Sequence, residues 1–314
     1  MVLTWPQWIF VFVNIVSLPL YILIIIVCIK EWKYNRLQRT FYLLLISQGI
    51  VDISVMLSYM FFGVLRQSEL FNSFYWKFQH HYLAAWTFNQ LYISIFLRCF
   101  GVLLISFQRY ITMCKHGRPI EQIINNSHRW ILPILHWSVP LLYSLPLFIL
   151  SDAVFKSQEK LELIADQEDI TLGTSMAVFF VSTTFIMCSL CYGAILRFLI
   201  KNRYSSSTAV KRETRLHVQM LGLFIGFMLF FIFNILQFAF SLYSNEGTTI
   251  AVRTIFPILS CFFSYVNAWM TLLLNEDIRR KIFLLISCKP TERKGSSTIS
   301  TSMKSFPQNN TTKF

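Results

Sequence analysis

Two charged side chains, Asp52 and Arg98, stand inside otherwise apolar runs of this sequence. An ion in hydrocarbon is expensive to hold, and it marks either function or an internal pair. Asp52 follows Phe41 by 11 residues and Arg98 precedes Arg109 by 11. At about 1.5 Å per residue both therefore sit roughly 16 Å from the same end of their helices. Equal depth on neighbouring helices predicts that the two charges neutralise each other, with Asn267 nearby. Uncharged polar and aromatic groups recur around them at helical spacing. Trp86, Gln90, Ser94, Arg98, Val102, Ile105 and Arg109 fall close to one stripe. Asn234 and Gln237 share a face at i and i+3, and Thr183 and Thr184 lie in another run. Together with Trp86 and Asn89 they predict a pocket that recognises a small molecule by hydrogen bonds and aromatic contact. The other use of Gln90 and Ser94 is as hydrogen-bonding glue between helices.

Other chemistry has no residues to carry it. His80 and His81 are adjacent, and His116, His128, His136 and His217 are scattered, so no metal-ligand set stands out. A nucleophile elbow, a paired-carboxylate site and a phosphate-cradling glycine loop are missing as well. The expectation is a protein that is not an enzyme and uses neither metal nor cofactor.

The elements that position these residues follow from composition. A chain of 314 residues that is 55% hydrophobic and only 14% charged cannot have water as its main solvent. A bilayer core needs about 20 apolar residues as helix. Seven segments meet or approach that length: 8–29, 41–64, 83–110, 130–150, 176–200, 218–243 and 254–274. Residues 1–7 carry no Lys or Arg, so the first run is expected to remain as a helix instead of being cleaved as a signal peptide. The seven cysteines fall mostly inside apolar runs, as buried thiols do.

The formal charge of +13 fits either a nucleic-acid surface or loops on the cytoplasmic side of a membrane. With the amino terminus outside, 22 of the 28 Lys and Arg residues fall on the inner side and five on the outer. That asymmetry sets the orientation and accounts for the charge without nucleic acid. The longest outer loop, Ser151 to Thr174, carries six acids against two lysines and has two readings, a lid or a solvated loop. After Leu274, Ile278, Ile282, Phe283 and Leu285 alternate with Arg279, Arg280 and Lys281. This predicts a short amphipathic helix on the inner membrane surface, at about residues 275–288. Cys288 closes it, as an S-palmitoylation site or an unmodified thiol. Residues 289–314, rich in Ser and Thr, read as a disordered cytoplasmic tail. The sequons at Asn125, Asn309 and Asn310 fall inside, so no N-glycan is expected.

Seven spans, an outside amino terminus and Gln108-Arg109-Tyr110 at the inner end of the third helix resemble a G-protein-coupled receptor of the rhodopsin-like class. There the triplet reads Asp or Glu, Arg, Tyr. Asp52 matches the acidic residue of that class's second helix, and Asn267 the Asn of its seventh-helix Asn-Pro motif. FQRYITMC from Phe107, the prolines 133, 140 and 146 of the fourth span, and NAWMTLLLNEDIRRKI from Asn267 are similar to nematode serpentine chemoreceptors of the Srv group, with the sister Srg group next. The likeness runs from the first helix to Ile282. It implies a seven-transmembrane, all-helical receptor domain over residues 1–288, set in the plasma membrane of sensory neurons. Such a receptor binds a small external chemical near Trp86, Asn89, Gln90, Ser94, Asn234 and Gln237 and activates a heterotrimeric G protein through Arg109 and Tyr110.

Departures from the rhodopsin-like pattern are also visible. No Cys occurs from 115 to 187 or from 29 to 98, so the disulfide between the third helix and the second outer loop cannot form. The sixth run has no Pro, Ala268 replaces the seventh-helix Pro, and Gln108 cannot give Arg109 an ionic partner. In that class the second-helix acid helps to hold a sodium ion; here Arg98 takes the facing position, so sodium is expected to be unnecessary. The rival reading is a transporter or ligand-gated channel. Transporters are often built from inverted repeats and paired broken helices, and no repeat is visible here.

Overall fold

The computed structural model describes residues 3–34, 39–114, 130–150, 152–159, 161–201, 208–242 and 246–287. Cys288, the tail 289–314 and the sequons at Asn125, Asn309 and Asn310 lie outside these residues. The chain is a bundle of helices: α1 (Trp5–Tyr34), α2 (Arg39–Tyr59), α3 (Asn72–Phe78), α4 (Ala84–Cys114), α5 (Ile131–Tyr143), α6 (Leu145–Leu150), α7 (Gln167–Lys201), α8 (Thr208–Leu242), α9 (Glu246–Leu274) and α10 (Glu276–Ile286). π-helical turns extend α2 through Met60–Leu65 and join α3 to α4 through Gln79–Leu83.

Six helices are long and apolar enough to cross a membrane. Their outer surface is a belt of exposed apolar residues, among them Phe12, Ile15, Phe179, Leu190 and Leu273, each more than 60% exposed. Such a surface has lipid as its solvent. The prolines divide the fourth apolar run. Pro146 has no N–H to give, and its ring would clash with the carbonyl one turn back. The helix therefore closes at Ser144, whose amide reaches Pro140 O at 3.0 Å, and restarts as α6.

Helix α4 is the axis of the bundle, packed against α2, α5 and α7, while α8 packs on α7 and α9, and α1 on α2 and α9. Gly101 makes one of these approaches close: a Cβ there would collide with Gln48 Oε1 and His136 Nε2. Polar groups then bolt the helices together. His136, fully buried, bridges Ser47 Oγ at 2.8 Å and Leu97 O at 3.0 Å. Tyr265 donates to Asn14 Oδ1 at 2.6 Å and Trp269 Nε1 to Ser17 Oγ at 3.1 Å, tying α9 to α1.

The segment between α6 and α7 departs from the all-helical expectation. Residues Ala153–Phe155 (β1) pair antiparallel with Leu163–Ala165 (β2), and α7 begins at Gln167, so the loop expected over Ser151 to Thr174 ends well before Thr174. Burial alternates along β1, with Ala153 and Phe155 buried and Val154 exposed, as suits a hairpin with one packed face: Phe155 and Leu161 cluster with Tyr75 and Ala84. Asn72 Nδ2 donates to Glu159 O at 3.0 Å, Gln79 Oε1 accepts from Phe155 N at 3.3 Å, and Arg66 donates to Leu161 O. The hairpin is thus held to the end of α2, to α3 and to the turn that leads into α4.

At the other end of the bundle, Asn275 caps α10 by accepting from Ile278 N at 3.2 Å. Ile278 and Ile282, one turn apart, are buried, while Phe283 and Ile286 are exposed. Lys281 Nζ lies 2.5 Å from Glu31 Oε1, which pins α10 to α1.

Candidate functional site

The two intramembrane charges meet. Arg98 Nε stands 3.3 Å from Asp52 Oδ1, and both side chains are almost completely closed off. Each ion has further partners. Asp52 accepts from Tyr21 Oη at 2.9 Å, Gln48 Nε2 at 3.2 Å and Ser264 Oγ at 3.1 Å. Arg98 donates to Ser260 Oγ at 2.8 Å, Ser260 O at 2.6 Å and Ser264 Oγ at 2.8 Å. Its guanidinium also lies 4.8 Å from the ring centroid of Phe263 and 5.6 Å from that of Phe230. A buried pair holds only when the remaining donors and lone pairs are satisfied, and here α1, α2 and α9 supply most of the partners. Asn267, one turn beyond Ser264, is buried on the same helix.

Sequence reading missed Tyr21, Gln48, Ser260 and Ser264. Ser260 and Ser264 carried a usable signal, since i and i+4 place two hydroxyls on one face of the last span.

Two cavities lie at the end of the bundle that carries the hairpin, sharing Tyr59, Gln90, Leu91 and Phe256 in their walls. The first is formed by α2, α4 and α5, with Val51, Val55, Trp86, Ser94, Trp137 and Leu141 around it. The second lies between α2, α4, α8 and the hairpin, with Phe62, Arg66, Tyr92, Leu163, Phe233 and Gln237. Four of the six expected ligand residues, Trp86, Gln90, Ser94 and Gln237, therefore border these cavities.

Asn89 and Asn234 do not line them. Asn89 is fully buried and donates to Leu147 O at 3.0 Å and Tyr82 Oη at 3.1 Å, so it joins α4 to α6. Asn234 donates to Phe230 O at 2.7 Å, a carbonyl of its own helix. Thr183 and Thr184 likewise bond back to Phe179 O and Phe180 O and line neither cavity. In hydrocarbon a short polar side chain finds its nearest acceptor one turn back along the same helix.

Arg109 is 4% exposed, and its guanidinium lies 3.5 Å from the ring centroid of Phe41 at the start of α2. The sequence reading turned this side chain toward a partner; the structure folds it onto an aromatic face within the bundle. Gln108 Nε2 donates to Thr112 Oγ1 at 3.1 Å, and Tyr110 is half-buried. Among the described residues no group of His, Cys, Asp or Glu is arranged to hold a metal ion, and the six described cysteines are free.

A bundle of apolar helices with cavities at one end and a buried charged core beneath them has the form of a membrane receptor. No curated protein matches the chain. Residues 10–288, nearly the whole of the described structure, match the family of serpentine type 7TM GPCR chemoreceptors, Srv. The chain is therefore a multi-pass membrane receptor, and it belongs to the Srv family of chemoreceptors.

Proposed function

We propose that the protein is a chemosensory receptor of the sensory-neuron plasma membrane, which binds a small external chemical and activates a heterotrimeric G protein. The observation that carries this reading is the pair of cavities walled by Trp86, Gln90, Ser94 and Gln237, the first of them within one helical turn of the buried Asp52 and Arg98. The seventh crossing in this reading is α5 followed by α6, whose 20 residues from Ile131 to Leu150 reach about 30 Å as helix. The distribution of Lys and Arg supports an outside amino terminus, with the hairpin outside and α10 lying on the inner surface.

Transmission starts at Phe256, which borders both cavities. Its ring is 6.2 Å from Phe230, and Phe230 stacks on Phe263 at 5.0 Å. Those two rings form the face against which Arg98 is held. A ligand that moves Phe256 changes the packing of that face. Arg98 lies on the same helix as Arg109, about three turns away. Release of Arg109 from Phe41 then frees a permanently charged, multi-donor group for the G protein.

The test is a chemical panel on cells that express the chain with a promiscuous G protein and a second-messenger readout. Supporting results are a compound-specific signal and a loss of potency in Trp86→Ala and Gln90→Ala. A compound-evoked ion current under voltage clamp, persisting with G proteins blocked, overturns the reading in favour of a channel or transporter.

A further inference from the structure

In the wall of the cavity bordered by Arg66 and Gln237, one buried hydrogen-bond donor is left without an acceptor and one cation without an anion. Gln237 is 2% exposed, and its Nε2 has no hydrogen-bond partner among the described residues. A buried amide N–H left without an acceptor keeps its full desolvation cost. A persistent orphan donor at a cavity wall therefore points to a group that arrives from outside. Arg66 stands in the same cavity wall. It donates through Nε to Phe62 O at 2.9 Å and through Nη1 to Leu161 O, both neutral carbonyls. Among the described residues no carboxylate pairs with it. Burial draws its pKa below the ordinary value, so the charge is poorly solvated where it stands. A guanidinium has five N–H groups in a fork that matches a carboxylate, and these two bonds leave the rest of the fork uncommitted.

The adjoining cavity is of opposite character. Trp86, Trp137, Val51, Val55 and Leu141 present rings and aliphatic carbon, with Gln90, Ser54, Ser58 and Ser94 as minor polar edges. The two spaces meet at Tyr59, Gln90, Leu91 and Phe256. A molecule that fills both has an acceptor-bearing anionic head at one end and an apolar body at the other.

We propose that the ligand class is the amphipathic organic carboxylate, with its head on Arg66 and Gln237 and its hydrocarbon or aromatic body between Trp86 and Trp137. This inference rests on the receptor reading above and deepens it. Arg66 both anchors the hairpin, through Leu161 O, and binds the head, so occupancy of the head site tightens the cover over the cavity.

The experiment uses the full chain in lipid nanodiscs, with four probes that share one body: 3-(2-naphthyl)propanoate, its methyl ester, its primary amide and 3-(2-naphthyl)propylamine. Binding is read by saturation-transfer NMR titration, with empty nanodiscs subtracted for partition into lipid. The carboxylate is expected to bind about tenfold more tightly than the ester and to exclude the amine. In Arg66→Gln that preference disappears, whereas Arg66→Lys keeps most of it and Gln237→Leu weakens the carboxylate about fivefold. Equal or tighter binding of the ester, amide or amine by the unmodified protein overturns the carboxylate assignment and leaves the receptor reading standing. So does a preference that survives in folded Arg66→Gln. If none of the four binds above empty nanodiscs, the assignment is likewise overturned; the receptor reading falls only if the wider chemical panel also gives no signal.

Discussion

Asp52 and Arg98 form an ion pair 3.3 Å apart in the middle of the bundle, and Ser264 Oγ touches both, donating to Asp52 at 3.1 Å and accepting from Arg98 at 2.8 Å. Removing one partner strands the other charge in a site closed to water. The penalty for breaking a buried pair in this way is about 3 to 5 kcal/mol. Asp52→Asn and Arg98→Gln should each reduce surface expression severely, and the double variant should recover part of the loss because the two effects are not additive. Flow cytometry of a tagged chain measures this; additive losses contradict it. Since Arg98 supplies a fixed positive charge at the carboxylate, replacing sodium chloride by choline chloride at equal ionic strength should leave agonist potency unchanged.

The contact of Arg109 with Phe41, at 3.5 Å from the ring centroid, holds a cation that the G protein would need. A cation–π contact contributes about 0.5 to 2 kcal/mol. Phe41→Leu removes it while keeping an apolar side chain, so basal signalling should rise, by up to about tenfold, with expression preserved. Arg109→Ala should abolish agonist-driven signalling at normal surface expression. Basal and agonist-driven signalling unchanged in both variants would refute a signalling role for this pair.

Gly101 and Gly193 form an internal comparison. A Cβ at Gly101 meets Gln48 and His136, whereas at Gly193 it meets nothing within 4 Å. Gly101→Ala should destabilise by about 1 to 3 kcal/mol through overpacking where α2, α4 and α5 meet. Gly193→Ala should be neutral or slightly stabilising, because Ala is the better helix former. Thermal inactivation in detergent distinguishes the two; equal midpoints would contradict the close approach.

The hairpin depends on Phe155, which is 3% exposed and packs with Tyr75, Ala84 and Leu161. Phe155→Ala removes most of that small core, and truncations of this kind lose about 3 to 5 kcal/mol. Hydrogen exchange at the β1 and β2 amides should accelerate strongly while α4 remains protected. Agonist potency should fall without loss of surface expression. Unchanged exchange would show that hydrogen bonds from Asn72, Gln79 and Arg66 suffice to hold the hairpin.

Helix existence and depth were legible in one dimension. Apolar runs mark six of the long helices, and equal counts of residues from the helix ends placed Asp52 and Arg98 at one level, since helical rise is nearly constant. Charge asymmetry suggested an orientation for the same reason that composition excluded water: the solvation of charge and of hydrocarbon adds residue by residue. Helix rotation was less legible. Asn89 and Asn234 have the same chemistry as Gln90 and Gln237, yet they bond Leu147 O and Phe230 O instead of lining a cavity. The choice between two acceptors depends on which carbonyl lies nearest in space.

Composition and periodicity by themselves determined that this chain is a bundle of apolar helices with a buried pair of opposite charges. Tertiary structure alone decided the rest. It set Ser260 and Ser264 around Arg98, laid Arg109 on Phe41, and paired Ala153–Phe155 with Leu163–Ala165 in a hairpin that borders the second cavity. It also put Arg66 and Gln237, 171 positions apart in the sequence, into one wall. Such groupings depend on crossing geometry and on side-chain volumes between distant segments, and no local pattern encodes these because packing is a property of pairs of surfaces.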